Sequence, residues 1–377
     1  MFAMNRFSLW SATIAMLASL AFVSGCGSTT PAALSPANDG AGGGTPRAAV
    51  PTFSLAWSEY PSWSTFGVAH EVGLINGKKG EMGPLELKWG VDIELKEAEY
   101  DPCLTMYGAG QCDAVCITNM DALNPSLSVQ SVAILPTSTS FGADALIVTN
   151  DITNAKQLKG RKVFGLAKTC SEYCFARNLE LLGEKDTDYN FTNMDPAAAA
   201  LAMQQKQQGY DAIVVWNPFV LETLSKRPDT HVLFDSSKIP NEIIDMVVMS
   251  QSSLDKPKGR EFACAVIDTY YALNKRIADP ALRDRTLLAL GEKFSHLDLD
   301  SMKKCVEQTR FYSKPDDGLR VLTSADTKAI MEKVVKFCVS HQIVPSEPKI
   351  GYGARDKSAS VPFRLDPSFI KEVQERK

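Results

Sequence analysis

The stretch FSLAWSEYPSW, residues 53–63, decides how the chain is read. It begins as a short apolar strand and breaks at Tyr60-Pro61 into a loop carrying indoles, a carboxylate and several hydroxyls. Directly after it Phe66, Val68, Ala69, Val72, Leu74 and Ile75 follow at helical spacing. Strand, polar-aromatic loop and helix in that order is how an open α/β sheet presents a ligand at its strand ends. The loop is therefore expected to form one wall of a small-molecule site.

Working outward, the same alternation repeats. Residues 92–98 (DIELKEA), 110–118 (GQCDAVCIT) and 131–135 read as strands, with helical starts at 103–108 and 119–123 and a hydroxyl-rich run at 137–140. A second alternation opens with the apolar run 145–149. It continues with a strand at 162–166 and a helix at 172–182 behind a capping Thr169–Ser171. A strand at 191–194, a helix at 197–207 opened by Asp195-Pro196, and strands at 211–215, 231–234 and 243–249 complete it. Beyond Ser250 the pattern is helical: 259–277, 280–294, 301–309 and 323–341. These helices have no strands of their own to cover, so they are expected to return to the first unit. The prediction is an α/β protein of two lobes, each a mostly parallel sheet flanked by helices, with two chain crossings. Lobe 1 spans 51–144, lobe 2 spans 145–246, lobe 1 resumes over 247–345, and 346–377 is a polar tail expected to wrap the surface or fray.

The 377 residues are 45% apolar and 22% charged with a net charge of −4, acids and bases interspersed, which gives no footprint for nucleic acid. Residues 1–25 read as an export signal: Arg6, an apolar run over 9–23, then small residues. Val23-Ser24-Gly25-Cys26 resembles a bacterial lipobox, which implies lipidation at Cys26, a membrane anchor and an extracytoplasmic location, in the periplasm or at the cell surface. Residues 26–50, rich in Gly, Pro, Ser, Thr and Ala, are too poor in large apolar side chains to offset chain entropy and read as a disordered tether.

Eight cysteines remain: Cys103, Cys112, Cys116, Cys170, Cys174, Cys264, Cys305 and Cys338. Their sequence order does not choose between buried thiols and distant disulfides. The C-x3-C spacings lack nearby histidines, so no metal and no cofactor are expected.

Several segments carry a family resemblance. AWSEYPSW…AHEVGLI, GQCDAVCITNMDAL, LKGRKVFG, SEYCFARNLELLG and DAIVVWNPF, in that order over residues 53–249, resemble the nitrate/sulfonate/taurine branch of the solute-binding proteins of ABC importers. Trp57-Ser58-x-Tyr60-x-x-Trp63 with TNMDAL at 118–123 is similar to a narrower subgroup described as urea-type transporters and associated with urea or guanidine carboxylation. The chain departs from that subgroup at Glu59, where an apolar residue is the subgroup's pattern. The resemblance implies a type II periplasmic binding fold, a permease and an ATPase as partners, and a small solute held between the lobes.

In that architecture the segments 57–63, 118–121, 170–172 and 216–217 converge on the cleft, with 137–140 near the crossover. The candidate ligand-binding residues are Trp57, Ser58, Glu59, Trp63, Asn119, Asp121, Thr139, Ser171, Glu172, Trp216, Asn217 and Asp245. Trp57, Trp63 and Trp216 offer flat faces, on which a cation gains ~0.5–2 kcal/mol. Each is equally suited to a core. Asn119 and Asn217 can both donate and accept, or can cap helices. Glu59, Asp121, Glu172 and Asp245 are the nearby acids and Lys168 the one adjacent lysine, so a neutral amide-like or cationic ligand is favoured over nitrate or a sulfonate. Taurine, a sulfonate, nitrate or an aminopyrimidine is the alternative cargo, and a lipoprotein sensor the alternative role.

An enzyme is not expected. Cys170-Ser171 at a helix start could host a thiolate, but His70, His231, His296 and His341 lie in segments that do not converge, and no G-x-S-x-G, H-E-x-x-H or G-x-x-x-x-G-K occurs. The cysteine-rich motif of the thiamine-pyrimidine synthases, which share this fold, is absent as well.

Overall fold

The computed structural model describes residues 50–293, 297–356 and 360–376. The export signal, Cys26 and nearly all of the tether lie outside the described residues, as does His296.

Twelve strands form two sheets. They are β1 Thr52–Trp57, β2 Asp92–Glu97, β3 Ala114–Thr118, β4 Ser131–Thr139, β5 Asp144–Thr149, β6 Lys162–Gly165, β7 Asn190–Asn193, β8 Ala212–Trp216, β9 Thr230–Asp235, β10 Ile244–Ser250, β11 Ile350–Tyr352 and β12 Phe363–Leu365. The first sheet has seven strands in the order β11-β12-β4-β10-β3-β1-β2, and the second has five in the order β7-β6-β8-β5-β9. Each is parallel except where a long connection enters: β10 runs antiparallel to both β3 and β4, and β5 antiparallel to both β8 and β9. These antiparallel strands are the two that the chain uses on crossing between sheets.

Central strands β3, β4, β5, β8 and β10 are buried along their whole length, as near-continuous apolar runs covered on both faces require. One apolar cluster fills the first lobe and continues across to Cys170, Tyr173, Cys174 and Trp216 of the second. The second sheet has a separate cluster on each face, around Leu146 and Phe175 on one and Ile147 and Met203 on the other. The helices after Ser250 are Gly259–Ala278, Arg283–Lys293, Leu299–Gln308, Pro315–Thr323 and Ala325–Ser340. Val68, Leu273, Leu287, Leu290, Met302 and Cys305 join several of them to the helix Ser64–Glu71 in a satellite core.

Three expectations need correction. Strand β4 does not stop at Leu135 but runs through Pro136 to Thr139. The register against β10 jumps from Pro136 to Ser138, and that irregularity accommodates a proline inside the sheet. All of β10 pairs with β3 and β4 of the first sheet, so the return crossing precedes Ile244 instead of falling after Met246. The tail neither wraps nor frays. β12 pairs with β4, β11 pairs with β12, and the helix Ser368–Glu375 buries Phe369, Ile370 and Val373. Phe363 and Leu365 carry the strand signal, but three-residue strands among polar neighbours give too little periodicity to read. All eight described cysteines are buried and free.

The two crossings are tied by hydroxyls and one amide. Thr139 Oγ1 donates to the Ile243 carbonyl at 2.8 Å, and Ser140 and Ser236 bond through their hydroxyls at 2.7 Å. Gly142, at φ 97° where a side chain would strain the backbone, donates its N–H to Ser236 Oγ at 2.8 Å. Asn119 exchanges backbone and side-chain bonds with Ile244 and donates Nδ2 to the Glu242 carbonyl at 3.1 Å. Glu242 accepts from Tyr173, Arg177 and Lys333. Burial alone would raise its carboxyl, but these partners hold it down at about 2.

If the tail strand is structural, Phe363→Ala should lower the denaturant-unfolding free energy by about 3–5 kcal/mol, the cost of emptying a core aromatic position. A loss below about 1 kcal/mol would show that β12 is not part of the folded sheet.

Candidate functional site

The site is built where the ends of the two sheets face each other. In the first sheet Asp245 of β10 lies opposite Thr118 of β3 on one side and Ser138 of β4 on the other. In the second, Asp144 opens β5 directly opposite Trp216, the last residue of β8. The loop after β1 contributes Tyr60 and Trp63, and the helix Tyr100–Gly108 contributes its first residue. The capped helix Cys170–Leu181 brings Cys170 to the same place. Its cap is Thr169, whose Oγ1 accepts the Ser171 N–H at 3.3 Å.

Between them is a cavity of about 10 Å³, room for roughly one water. Its walls are aromatic. Trp63 stacks on Tyr100 with ring centroids 5.4 Å apart, Tyr60 tilts against Trp63 at 4.9 Å, and Trp216 meets Tyr100 edge-on at 5.7 Å. Its polar groups are acidic: Asp144 and Asp245 line it, and Asp121 is held just behind by Tyr100, whose hydroxyl donates to it at 2.7 Å. All three acids are at most 4% exposed. Asp245 accepts from Ser138 Oγ at 2.5 Å, and Ser138 continues through Ser62 to Thr137. Among the described residues no lysine, arginine or histidine lines the cavity.

Three buried polar atoms at or beside the seam have no hydrogen-bond partner among the described residues: Trp63 Nε1, Ser171 Oγ and Asn217 Oδ1. Buried polar atoms are satisfied in most proteins.

Electrostatics follow from burial. Desolvation pushes the Asp121 and Asp144 carboxyls up to about 6 each, against the hydrogen bonds each receives, and Asp121 adds its charge against Asp144. Asp245 is raised further, by burial first and then by Asp144 and Asp121. Burial and the same three acids drive the Cys170 thiol well above its ordinary value, so it stays protonated. Among the described residues no three Asp, Glu, His or Cys side chains are arranged to hold a metal ion.

Of the twelve sequence candidates, Trp63, Trp216 and Asp245 line the cavity, and Asp121 stands behind Tyr100. Ser171 is buried at the start of the helix from Cys170. Asn217 follows Trp216 and donates Nδ2 to Gln308 Oε1 at 2.9 Å, tying β8 to a first-lobe helix. The remainder are elsewhere. Trp57 packs its indole under the helix Ser64–Glu71, so close that a Cβ on Gly67 would lie 2.9 Å from its ring. Ser58 is buried but does not line the cavity, and Glu59 is exposed. Asn119 and Thr139 are occupied by the crossings described above. Glu172 accepts the Lys168 N–H at 2.5 Å and so closes its own helix start.

Tyr100, Asp144 and Ile243 line the cavity without having been among the candidates, and Tyr60, Thr118 and Cys170 do so from segments expected at the cleft although they were not named individually. Tyr60 was visible in the opening loop as a turn residue beside proline. Asp144 had a signal too, being an acid placed directly before an apolar strand at a crossover. For Tyr100 nothing local distinguishes it.

No protein-family model and no curated protein sequence matches the chain. Solved structures do. The periplasmic aliphatic sulphonate-binding protein SsuA from Escherichia coli superposes with a TM-score of 0.62 at 18% identity, over 78% of this chain and 89% of that one. The alkanesulfonate-binding protein SsuA from Xanthomonas axonopodis pv. citri, bound to MOPS, gives 0.62 at 13% identity over 78% and 95%. A ligand-binding component of an ABC-type import system from Staphylococcus aureus, with zinc bound, gives 0.59 at 11% identity over 85% and 98%. The chain has the two-lobed fold of these periplasmic binding proteins, two mixed sheets flanked by helices.

The acids make a signed prediction. A carboxyl raised in the folded state binds its proton more tightly there, so it favours folding below its unfolded value near about pH 4 and loses that advantage as pH rises through about 6. In ligand-free protein, the melting temperature of Asp144→Asn relative to wild type should therefore increase between pH 5 and pH 8. A difference that stays flat or falls would mean that Asp144 is not titrating in this environment.

Proposed function

We propose that this chain is the extracytoplasmic substrate-binding component of an ABC importer. It captures a small nitrogen-containing solute of the urea or guanidine kind between its lobes and delivers it, closed, to a permease driven by an ATPase subunit. Cys26 is the proposed site of the lipid anchor that keeps it at the membrane. The fold shared with importer-binding proteins supports the role, and the wall chemistry supports the class of solute.

The observation that carries the reading is the facing of two sheet ends. Trp216 and Asp144 of one lobe meet Trp63, Tyr100 and Asp245 of the other across a space of a few atoms. The space holds about one water, so a flat solute must part the lobes slightly to lie against these aromatic faces, where N–H groups at its rim match carboxylate oxygens. Trp63 Nε1 is an unpartnered donor, which suits a carbonyl oxygen and keeps urea itself in view. A sulfonate is disfavoured: an anion would enter beside buried carboxyls with no lysine or arginine in the wall to receive it. The acids that set this preference are Asp144 and Asp245, with Asp121 behind, and not the exposed Glu59.

Closure is the mechanism. Ligand contacts made by both lobes are available only when the lobes meet, so binding shifts the population towards the closed form. The crossings are well placed for this, being short segments fixed by side-chain bonds at Asn119, Thr139 and Ser236. A hydrolytic role has little support, because the buried Cys170 stays a thiol and no histidine lines the cavity.

A thermal-shift series with guanidinium, urea, taurine and nitrate tests the reading, since a ligand of the native state raises the melting temperature. Guanidinium or urea is expected to raise it, and Trp216→Ala and Asp121→Asn should each weaken that solute by at least about tenfold while leaving the protein folded. A shift with taurine or nitrate alone, or unchanged affinity in both variants, would contradict it.

A further inference from the structure

Asp144 stands apart from the other two acids because it belongs to the other sheet. Asp245 lies on β10 of the first sheet, and Asp121 follows β3 of the same sheet. Asp144 opens β5 of the second. With the lobes apart, its carboxyl is separated from that pair by water. With the lobes together, Asp144 and Asp245 line one dry pocket with Tyr60, Tyr100 and Cys170, Asp121 stands just behind Tyr100, and Cys174 lies behind the Asp144 carbonyl. These are the titratable groups that face it. Its oxygens receive the Cys170 thiol at 3.9 Å and a bond from the Ser140 side chain, and neither donor carries a charge. Its backbone N–H is fixed by Ser140 Oγ at 3.1 Å, so the residue is held rigidly at the crossover.

We infer that Asp144 sets the charge selectivity of this cleft: it completes a three-carboxyl pocket that closes on a small planar organic cation, taken up in exchange for a proton, and discriminates against the neutral isostere. The inference rests on the proposed capture of a urea- or guanidine-like solute and chooses between those two. Guanidinium and urea have nearly the same size and shape and differ chiefly in charge. Aromatic faces and N–H acceptors accommodate both, so the discriminating element must be charge, and Asp144 is the acid that arrives only on closure.

The exchange balances without any further reactant. Closed and empty, the pocket can hold its acids together only by protonating some of them, since like charges this close in a dry space oppose joint ionisation. As the lobes close on the cation, a carboxyl O–H bond breaks and the proton passes to buffer. The cation's charge then takes the place of the proton's. A neutral solute offers no such replacement, so its complex must retain the protons and forgoes the charge-assisted bonds. The raised carboxyls of Asp121 and Asp144, at about 6, place the exchange near neutral pH.

Isothermal titration calorimetry of guanidinium chloride and of urea, in buffers of different ionisation heat from pH 5 to pH 8, tests this directly. Wild type should bind guanidinium at least about tenfold more tightly than urea at pH 7.5. It should release close to one proton per cation near pH 6, with affinity rising by up to about tenfold per pH unit below that point. Asp144→Asn should lose most of the preference and most of the proton release while still melting cooperatively. Asp144→Ser serves the same purpose if the asparagine variant does not fold. Guanidinium binding without proton release, or with its preference intact in the folded variants, overturns the inference and leaves the proposed function standing. Binding of taurine or nitrate, or of none of these solutes, overturns both.

Discussion

Asp121, Asp144 and Asp245 approach one another from the ends of two sheets, with space between them for little more than a water molecule. Carboxylates are stable in such surroundings only when protonated or when a cation joins them. The rest of the cleft answers to that constraint. Tyr100 and Ser138 each spend a hydroxyl on one of the acids, burial and then their charge keep Cys170 a thiol, and among the described residues no basic side chain enters the wall to neutralise them. A protein whose cargo was an anion would have the reverse arrangement. The same fold serves sulfonate binders among the structures it superposes on, so the fold alone does not choose the sign of the ligand.

The aromatic residues give the pocket its shape. Trp63 stacked on Tyr100, with Trp216 against the edge, produces flat walls drawn from both lobes, so neither lobe alone presents a complete site. Where the crossings are concerned, side-chain bonds from Asn119, Thr139 and Ser236 fix the backbone that must bend. Glu242, gripped by Arg177, Tyr173 and Lys333, joins the second lobe's first long helix to the helix Ala325–Ser340 beside the crossing.

Much of the fold was legible because parallel sheets buried on both faces leave long apolar runs, and β3, β5, β8 and β10 are such runs. The tail was not, since β11 and β12 are three residues each and take their stability from β4, which lies over two hundred residues earlier in the chain. The site was legible in its segments and less so in its residues. The opening loop reaches the cavity through Tyr60 and Trp63, whereas Trp57 packs against the helix that follows and Glu59 is exposed. Asparagine and threonine at 119 and 139 carry the polarity expected of ligand contacts, yet their atoms are used by the backbone of the crossing. Which of these roles a polar residue takes depends on partners distant in sequence, and one chain read alone does not reveal them.

The central claim is that charge in the cleft controls closure. Spin labels at exposed positions on opposite lobes, Lys79→Cys and Leu201→Cys, would report the interlobe distance by double electron–electron resonance. The account predicts a short distance at pH 5, a longer or broader one at pH 8, and a return to the short distance at pH 8 when guanidinium is added but not when an equal concentration of urea is. A distance that responds to neither pH nor cation would contradict it.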